Sequence, residues 1–221
     1  MAINNFLDHI VHPDAQQYAE EHTSPQSASL AQLERQTHLH TPNPHMLCGH
    51  YQGKLLELVS LATHPQTILE IGTFVGYSTV CLCRGLSPNG TVHTIEANEE
   101  FEDTIRQTLI DNNLQNRVQL HIGNALYILP KLQNQHFDLA LIDADKINYI
   151  NYYQTIVPMM NIDGIVLIDN VLWNGKVLYE QRSGDKETQT LKQLNNIIQT
   201  DPRVENLLLP VRDGLMICRK L

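Results

Sequence analysis

From Thr67 onwards, short apolar runs alternate with segments that are long enough to form a helix. Each run is a few residues long and apolar at consecutive positions, which is typical of parallel strands covered by helices on both faces. Several strand–helix units in series predict a doubly wound α/β sheet. The five runs are TILEIG, TVHTIE, VQLHIG, FDLALIDA and GIVLIDN.

The two ends of the chain depart from this alternation. After Asp201, the segments ENLLLPV and LMICRKL flank an Asp-Gly pair, which predicts two antiparallel strands joined by a turn. Before the sheet, residues 27–35 predict a helix capped by a serine, and residues 52–62 predict an amphipathic helix. Because no repeat or linker interrupts the chain, we predict one domain over 1–221, with a helical extension (1–45) and a core (46–221).

Composition restricts the possible partners. The formal net charge is −9 and the lysines and arginines are not clustered, which disfavours nucleic acid as a partner. No segment is long and apolar enough to span a bilayer, and the N-terminus lacks the pattern of a signal peptide. We therefore expect a cytoplasmic protein that does not interact with membranes. The four cysteines form no C-x-x-C pair, so they indicate neither a zinc site nor a redox site.

A glycine-containing loop follows the first predicted strand. Gly72 and Gly76 form a G-x-x-x-G segment at the start of a helix, where glycine allows close approach of a ligand and free N–H groups suit a carboxylate. Ser78 adds a hydroxyl there, and Glu96 ends the second strand, where a carboxylate can bind both hydroxyls of a ribose. Together they predict a nucleoside-containing ligand, although each alone could be an ordinary turn or a solvated acid. A nucleotide-dependent oxidoreductase is disfavoured, because the dinucleotide-binding loop of such enzymes is G-x-G-x-x-G and this chain has G-x-x-x-G.

Oxygen-bearing side chains end the next two strands. Asp143 follows the fourth run, and Asp169 and Asn170 end the fifth. If both strands lie in one parallel sheet, these side chains converge and form a site for Mg²⁺, Mn²⁺ or Ca²⁺. Lys146 lies three residues after Asp143, and a lysine beside a cation can accept a proton. Taken separately, the acids could instead cap helices and the lysine could form a surface ion pair.

The order and spacing of D-A-D-K, D-N and W-N-G make the chain similar to the cation-dependent O-methyltransferases of the caffeoyl-CoA and catechol O-methyltransferase type, as a bacterial-like member. The similarity begins near Met46 and is carried by LEIGTFVGYS, FDLALIDADKINYINYY, IDNVLWNGKV and DPRVENLLLPVRDGLMICRK. It implies a Rossmann-like class I methyltransferase fold dependent on S-adenosylmethionine (SAM), with a mostly parallel seven-stranded sheet, a C-terminal antiparallel hairpin and helices on both faces. It also implies methyl transfer to a hydroxyl of a catechol-like or other phenolic small molecule, assisted by Mg²⁺ or a similar cation, in a homodimer.

The resemblance implies roles for individual residues by position. Asp143, Asp169 and Asn170 correspond to metal ligands, and Lys146 corresponds to the catalytic base beside Asp143. Asn174 corresponds to a residue on the substrate side, and Trp173 beside it could either contact an aromatic substrate ring or be a core aromatic residue. The positions that correspond to SAM contacts are Met46, Cys48, Glu70, Gly72, Thr73, Tyr77, Ser78, Glu96, Ala125, Asp143, Asp145 and Tyr152.

Two other functions stay open at this point. Similar bacterial proteins methylate a hydroxylated base in tRNA, which the net negative charge disfavours. A non-catalytic SAM-binding protein is disfavoured because the lysine and the oxygen ligands form a complete set. Residues 1–45 and the loop 177–188 do not match the family pattern, so the sequence specifies neither the acceptor nor the hydroxyl that is methylated.

Overall fold

A seven-stranded sheet in the order β3-β2-β1-β4-β5-β7-β6 organises the computed structural model, which describes residues 10–179 and 184–221. The five strands from β3 to β5 are mutually parallel, whereas β7 is antiparallel to both β5 and β6. The predicted α/β fold with a C-terminal antiparallel hairpin is therefore confirmed. The strands are β1 (Thr67–Ile71), β2 (Thr91–Glu96), β3 (Val118–Ile122), β4 (Phe137–Ile142), β5 (Met160–Asp169), β6 (Val204–Leu209) and β7 (Leu215–Lys220).

One strand boundary differs from the prediction. The strand β5 begins at Met160, before the apolar run that starts at Gly164. Residues 161–163 are exposed and break the register between β4 and β5, and Asp163 has a positive φ of 64°. Because Asn161 and Asp163 flank the single apolar residue Ile162, the start of the strand is not visible as an apolar run.

Helices cover both faces of the sheet, as predicted. They are α1 (Pro13–Glu21), α2 (Ala28–His40), α3 (Gly49–Thr63), α4 (Tyr77–Leu82), α5 (Glu102–Asp111), α6 (Ala125–Ile128), α7 (Tyr149–Ile156) and α8 (Lys186–Thr200). Successive side chains of β1 enter different cores: Ile68 packs with residues of α3, α4 and α5, and Leu69 packs with residues of α6, α7 and α8. This alternation, expected for a strand, fixes which face each β1 side chain reaches.

The two helices predicted before the sheet are present and longer than predicted. Ser27 caps α2 by accepting a hydrogen bond from the backbone N–H of Leu30 at 3.3 Å. Residues 1–9 of the predicted extension and residues 180–183 of the unmatched loop lie outside the described residues. Within the part that the structure describes, none of the helices has the length and apolar character needed to cross a lipid bilayer.

The strand register brings the expected site residues to one edge. Ile71 pairs with Ile142, and Ile142 pairs with Ile168, so that Gly72, Asp143 and Asp169 follow side by side. The backbone at Gly72 has a φ of 96°, and a Cβ there would lie 1.8 Å from the carbonyl oxygen of Asp143. Glycine is therefore required where these two strand ends meet.

Candidate active site

A cavity of about 820 Å³ opens at the carboxyl ends of the parallel strands. Its walls come from the segments that follow β1 to β5, from residues 45–48 before α3, and from the turn between β6 and β7. Ligands of open α/β sheets bind at this edge, so the cavity lies where the sequence predicted a site.

All but one of the sequence-predicted site residues line this cavity. They are Met46, Cys48, Gly72, Thr73, Tyr77, Ser78, Glu96, Ala125, Asp143, Asp145, Lys146, Tyr152, Asp169, Asn170, Trp173 and Asn174. The residues come from segments far apart in the chain, and the parallel sheet brings them together. Two ligands bound side by side in the cavity could therefore contact the glycine loop and the acid cluster.

Glu70 is the exception, because its side chain lies behind the cavity wall. Its Oε2 accepts hydrogen bonds from the hydroxyls of Thr79 at 2.5 Å and Thr94 at 2.6 Å, and its buried Oε1 has no hydrogen-bond partner. Strand alternation points Glu70 towards α4 rather than towards the opening. Burial raises the pKa of this carboxyl to about 7, against the lowering effect of its hydrogen bonds. Glu70 is therefore the one predicted site residue that the structure does not bring to the cavity wall, and its contact with SAM stays a prediction.

Glu96 provides a carboxylate in the half of the cavity formed by β1, β2 and β3. Its two oxygens accept backbone N–H groups, Oε2 from Phe74 at 2.7 Å and Oε1 from Asn98 at 2.8 Å. Each oxygen retains capacity for a second hydrogen bond. This buried, fixed carboxylate can therefore accept two adjacent hydroxyls of a ribose.

Asp145 and Tyr152, two of the predicted SAM contacts, are hydrogen-bonded to each other. The hydroxyl of Tyr152 donates to Oδ1 of Asp145 at 2.5 Å, and the amide of Asn148 donates to Oδ2 at 2.5 Å. The hydrogen bond to Asp145 and burial both raise the pKa of the Tyr152 hydroxyl, burial having the larger effect. The Asp145 carboxylate is thus held in a fixed orientation at the rim of the cavity.

Asp143 and Asp169 form an acid pair at the ends of adjacent strands. Asp169 is buried, with Oδ2 accepting from the side-chain amide of Gln52 at 2.7 Å and Oδ1 from the backbone N–H of Asn170 at 2.8 Å. Burial, and then the nearby charge of Asp143, raise the pKa of Asp169 above its usual value. A cation between the two carboxylates would remove this repulsion, and carboxylate and amide oxygens are the ligands that Mg²⁺ and Ca²⁺ prefer. The residues present therefore fit a hard divalent cation.

Lys146 is buried next to this acid pair. Its Nζ donates to Oδ1 of Asp143 at 3.2 Å, to the carbonyl oxygen of Ala144 at 3.0 Å and to the hydroxyl of Tyr149 at 2.7 Å. All three donors of an ammonium group are used. The Nζ also lies 5.7 Å from the centre of the Trp173 ring. Tyr149 was not predicted as a site residue, because nothing in its local sequence indicates that its hydroxyl faces the lysine.

A tight turn after β5 carries the predicted acceptor-side residues. Trp173, Asn174 and Gly175 have consecutive positive φ values of 49°, 51° and 73°. The backbone N–H of Asn174 donates to Oδ1 of Asp213 in the turn between β6 and β7. The half-buried Trp173 presents an aromatic surface beside Lys146, which suits the face of an aromatic ligand.

The structure also adds residues that the sequence did not indicate. His45, Phe74, Glu187 and Arg212 line the cavity. Phe74 lies within the glycine loop but was not singled out, and His45, Glu187 and Arg212 belong to no motif that indicates a place at the opening.

Comparisons with known proteins identify the family of the chain. A family model described as O-methyltransferase matches residues 20–221. The chain belongs to the O-methyltransferase family. The prediction of a SAM-dependent O-methyltransferase is thereby confirmed.

Individual members of the family resemble the chain over most of its length. The caffeoyl-CoA O-methyltransferase 1 of Eucalyptus globulus is 28% identical over 179 residues, which cover 77% of this chain and 73% of the relative. The O-methyltransferase of Bacillus cereus, solved in complex with SAH, is 31% identical with a TM-score of 0.86, covering 94% and 97% of the two chains. The O-methyltransferase TomG of Streptomyces achromogenes, solved in complex with SAM, is 25% identical with a TM-score of 0.84, covering 100% and 99%.

Proposed function

We propose that this enzyme transfers the methyl group of SAM to a hydroxyl of a catechol-like or other phenolic small molecule, with Mg²⁺, Mn²⁺ or Ca²⁺ held by Asp143, Asp169 and Asn170. The observation that carries the proposal is the acid pair beside Lys146, in the same cavity as Glu96. A methyl donor and a chelating acceptor can bind there side by side. The names of relatives such as caffeoyl-CoA O-methyltransferase 1 support a phenolic acceptor.

The donor half of the cavity would hold SAM through groups that suit its parts. Glu96 would accept the ribose hydroxyls, since both its oxygens are oriented by backbone N–H groups. The loop from Gly72 to Ser78 would bind the methionine portion through backbone and hydroxyl groups. The SAH and SAM present in the solved structures of two relatives support a donor of this kind.

The acid cluster and the lysine would activate the acceptor. A divalent cation supplies positive charge that favours the ionised form of a nearby hydroxyl. We assign Lys146 as the group that would receive the proton, since its Nζ lies on the wall of the same cavity beside the acid pair.

Alignment of the two substrates would supply much of the remaining rate. The reacting atoms carry opposite charges that disappear in the transfer, so a site that excludes water favours the reaction. Trp173 and the buried base of the cavity would exclude water from the acceptor, and the rigid strand ends would hold the two substrates in line.

Methyl transfer from labelled SAM to a panel of catechols, caffeate, caffeoyl-CoA and flavonoids tests the proposal. We expect turnover of at least one catechol, loss of turnover in EDTA and recovery with Mg²⁺. Asp169→Ala should lose turnover while its affinity for SAM, measured by calorimetry, stays within about threefold. Full activity in metal-free buffer, or methylation of tRNA but of no small phenol, would contradict the proposal.

Two further properties remain predictions from the family resemblance and the sequence. A homodimer should appear in light scattering at twice the mass of 25.2 kDa. A location in the cytoplasm should appear on fractionation of cells that express the protein.

A further inference from the structure

Arg212 occupies a backbone position that is unfavourable for an arginine. Its φ is 49°, in the left-handed region, where a residue with a side chain costs about 1 kcal/mol relative to glycine. The residue lies in the turn between β6 and β7, and its side chain reaches the cavity. Backbone strain of this kind persists mainly where the side chain has a function.

Among the described residues, the hydrogen bonds of the Arg212 guanidinium are long and go to neutral oxygens, and Asp213 beside it is the nearest charge in sequence. The guanidinium lies 3.5 Å from the carbonyl oxygen of Leu47 and 3.3 Å from Oε1 of Gln52, both longer than the usual 2.9 Å of such hydrogen bonds. Within residues 10–179 and 184–221, no carboxylate forms an ion pair with it. Arg212 is exposed, so its positive charge is available to a ligand.

Arg212 lies close to the metal side of the cavity, although it also contacts Leu47, which stands between the predicted SAM contacts Met46 and Cys48. Gln52 contacts both Arg212 and the predicted metal ligand Asp169, so one amide group separates the guanidinium from the metal site. The turn that carries Arg212 adjoins β5, because β7 pairs with β5. Glu96 ends β2, and β1 and β4 lie between β2 and β5.

We infer that Arg212 binds a carboxylate on the acceptor, so that the preferred substrates are catechols that carry a carboxylic acid. This inference rests on the proposed function. The planar guanidinium fork matches a carboxylate and can donate two parallel hydrogen bonds to it. The same part of the cavity carries Asp143, Asp169, Glu187 and Asp213, which would repel an anion that lacked a cationic partner.

Binding of a matched pair of acceptors tests this inference. Calorimetry measures the affinity for 3,4-dihydroxybenzoate and for its uncharged methyl ester, with SAH and Mg²⁺ present. The variant Arg212→Asn removes the charge, and asparagine tolerates the left-handed backbone, so the turn is kept. Arg84→Asn is the control, because Arg84 is exposed outside the cavity and the change in net charge is the same.

We expect the native protein and Arg84→Asn to bind the acid about tenfold more tightly than the ester, and Arg212→Asn to bind the two within about twofold. Equal affinities in the native protein, or a preference that survives in Arg212→Asn, would overturn the inference. A loss of SAH affinity in Arg212→Asn would also overturn it, because the arginine would then serve the carboxylate of the donor.

Turnover of the same two compounds with SAM separates this inference from the proposed function. If the ester is methylated and the acid is methylated no faster, the proposed function stands and the role of Arg212 is rejected. Absence of methyl transfer to both compounds counts against the proposed function, while the binding preference still decides the role of Arg212. Failure of the native protein to bind either compound overturns the role of Arg212, whereas the wider panel of phenols still decides the proposed function.

Discussion

Replacement of Glu70 by glutamine should stabilise the protein at alkaline pH. Glu70 is fully buried with one unpartnered carboxylate oxygen, and its ionised form is therefore unfavourable. Glutamine has nearly the same shape and is neutral at every pH. Its carbonyl oxygen can still accept the hydrogen bonds that the hydroxyls of Thr79 and Thr94 donate.

The size of the effect follows from the pKa. Burial raises the pKa of Glu70 from 4.5 to about 7, so the folded protein holds this proton to higher pH than the unfolded chain does. The contribution of Glu70 to stability therefore falls as pH rises from about 4.5 to about 7, and stays low above that. At about 1.4 kcal/mol per pH unit, the ionised Glu70 costs the folded protein about 3 kcal/mol at pH 8.

Urea denaturation of the native protein and Glu70→Gln at pH 5 and pH 8 measures this cost. We expect Glu70→Gln to raise the free energy of unfolding by about 3 kcal/mol at pH 8 and by less than about 1 kcal/mol at pH 5. The same substitution at the exposed Glu100 is the control, with a change within about 0.5 kcal/mol at both pH values. A difference between native protein and Glu70→Gln that is the same at both pH values would refute this reasoning.

Three other substitutions test the site and its support. Lys146→Met should reduce kcat by about 100-fold or more with SAM affinity nearly unchanged in calorimetry, whereas an unchanged kcat would exclude the lysine as the base. Gln52→Leu should weaken Mn²⁺ binding by about tenfold in electron paramagnetic resonance titrations, with Gln107→Leu, an exposed site, as the unaffected control. Gly72→Ala should lower the free energy of unfolding by about 3 kcal/mol or more. Gly184→Ala has a similar φ of 99°, and an added Cβ there would lie more than 4 Å from every described residue other than its chain neighbours, so it should cost only about 1 kcal/mol.

The fold and half of the site could be predicted because both depend on local patterns. Consecutive apolar residues identify buried strands, and a polar residue directly after such a strand lies at the carboxyl edge of a parallel sheet. Asp143 and Asp169 follow this rule, and so does Glu96 at the end of β2. The start of β5 does not, because exposed residues 161–163 interrupt its apolar run.

The remaining site residues depend on contacts that no local pattern contains. Gln52 meets Asp169 across 117 positions of the chain, and Arg212 meets Gln52 across 160. Glu70 shows the opposite case, because it lies next to the glycine loop in sequence but its side chain points towards α4 and not into the cavity. Whether a side chain reaches the site therefore depends more on which face of the strand carries it than on how close it lies to a motif in sequence.

The side-chain amide of Gln52 forms hydrogen bonds with two neighbours of opposite charge, Arg212 and Asp169. Arg212 donates to the amide oxygen of Gln52, which leaves the amide nitrogen to donate to the carboxylate of Asp169. A glutamate at position 52 would attract the guanidinium but repel Asp169, and a lysine would do the reverse, whereas leucine would leave both polar groups unpaired. The amide thus orients a proposed metal ligand and a proposed acceptor-binding residue together. Under the proposed function, a change at Gln52 should therefore affect both cation affinity and the preference for acidic catechols, whereas a change at Arg212 should affect mainly the second.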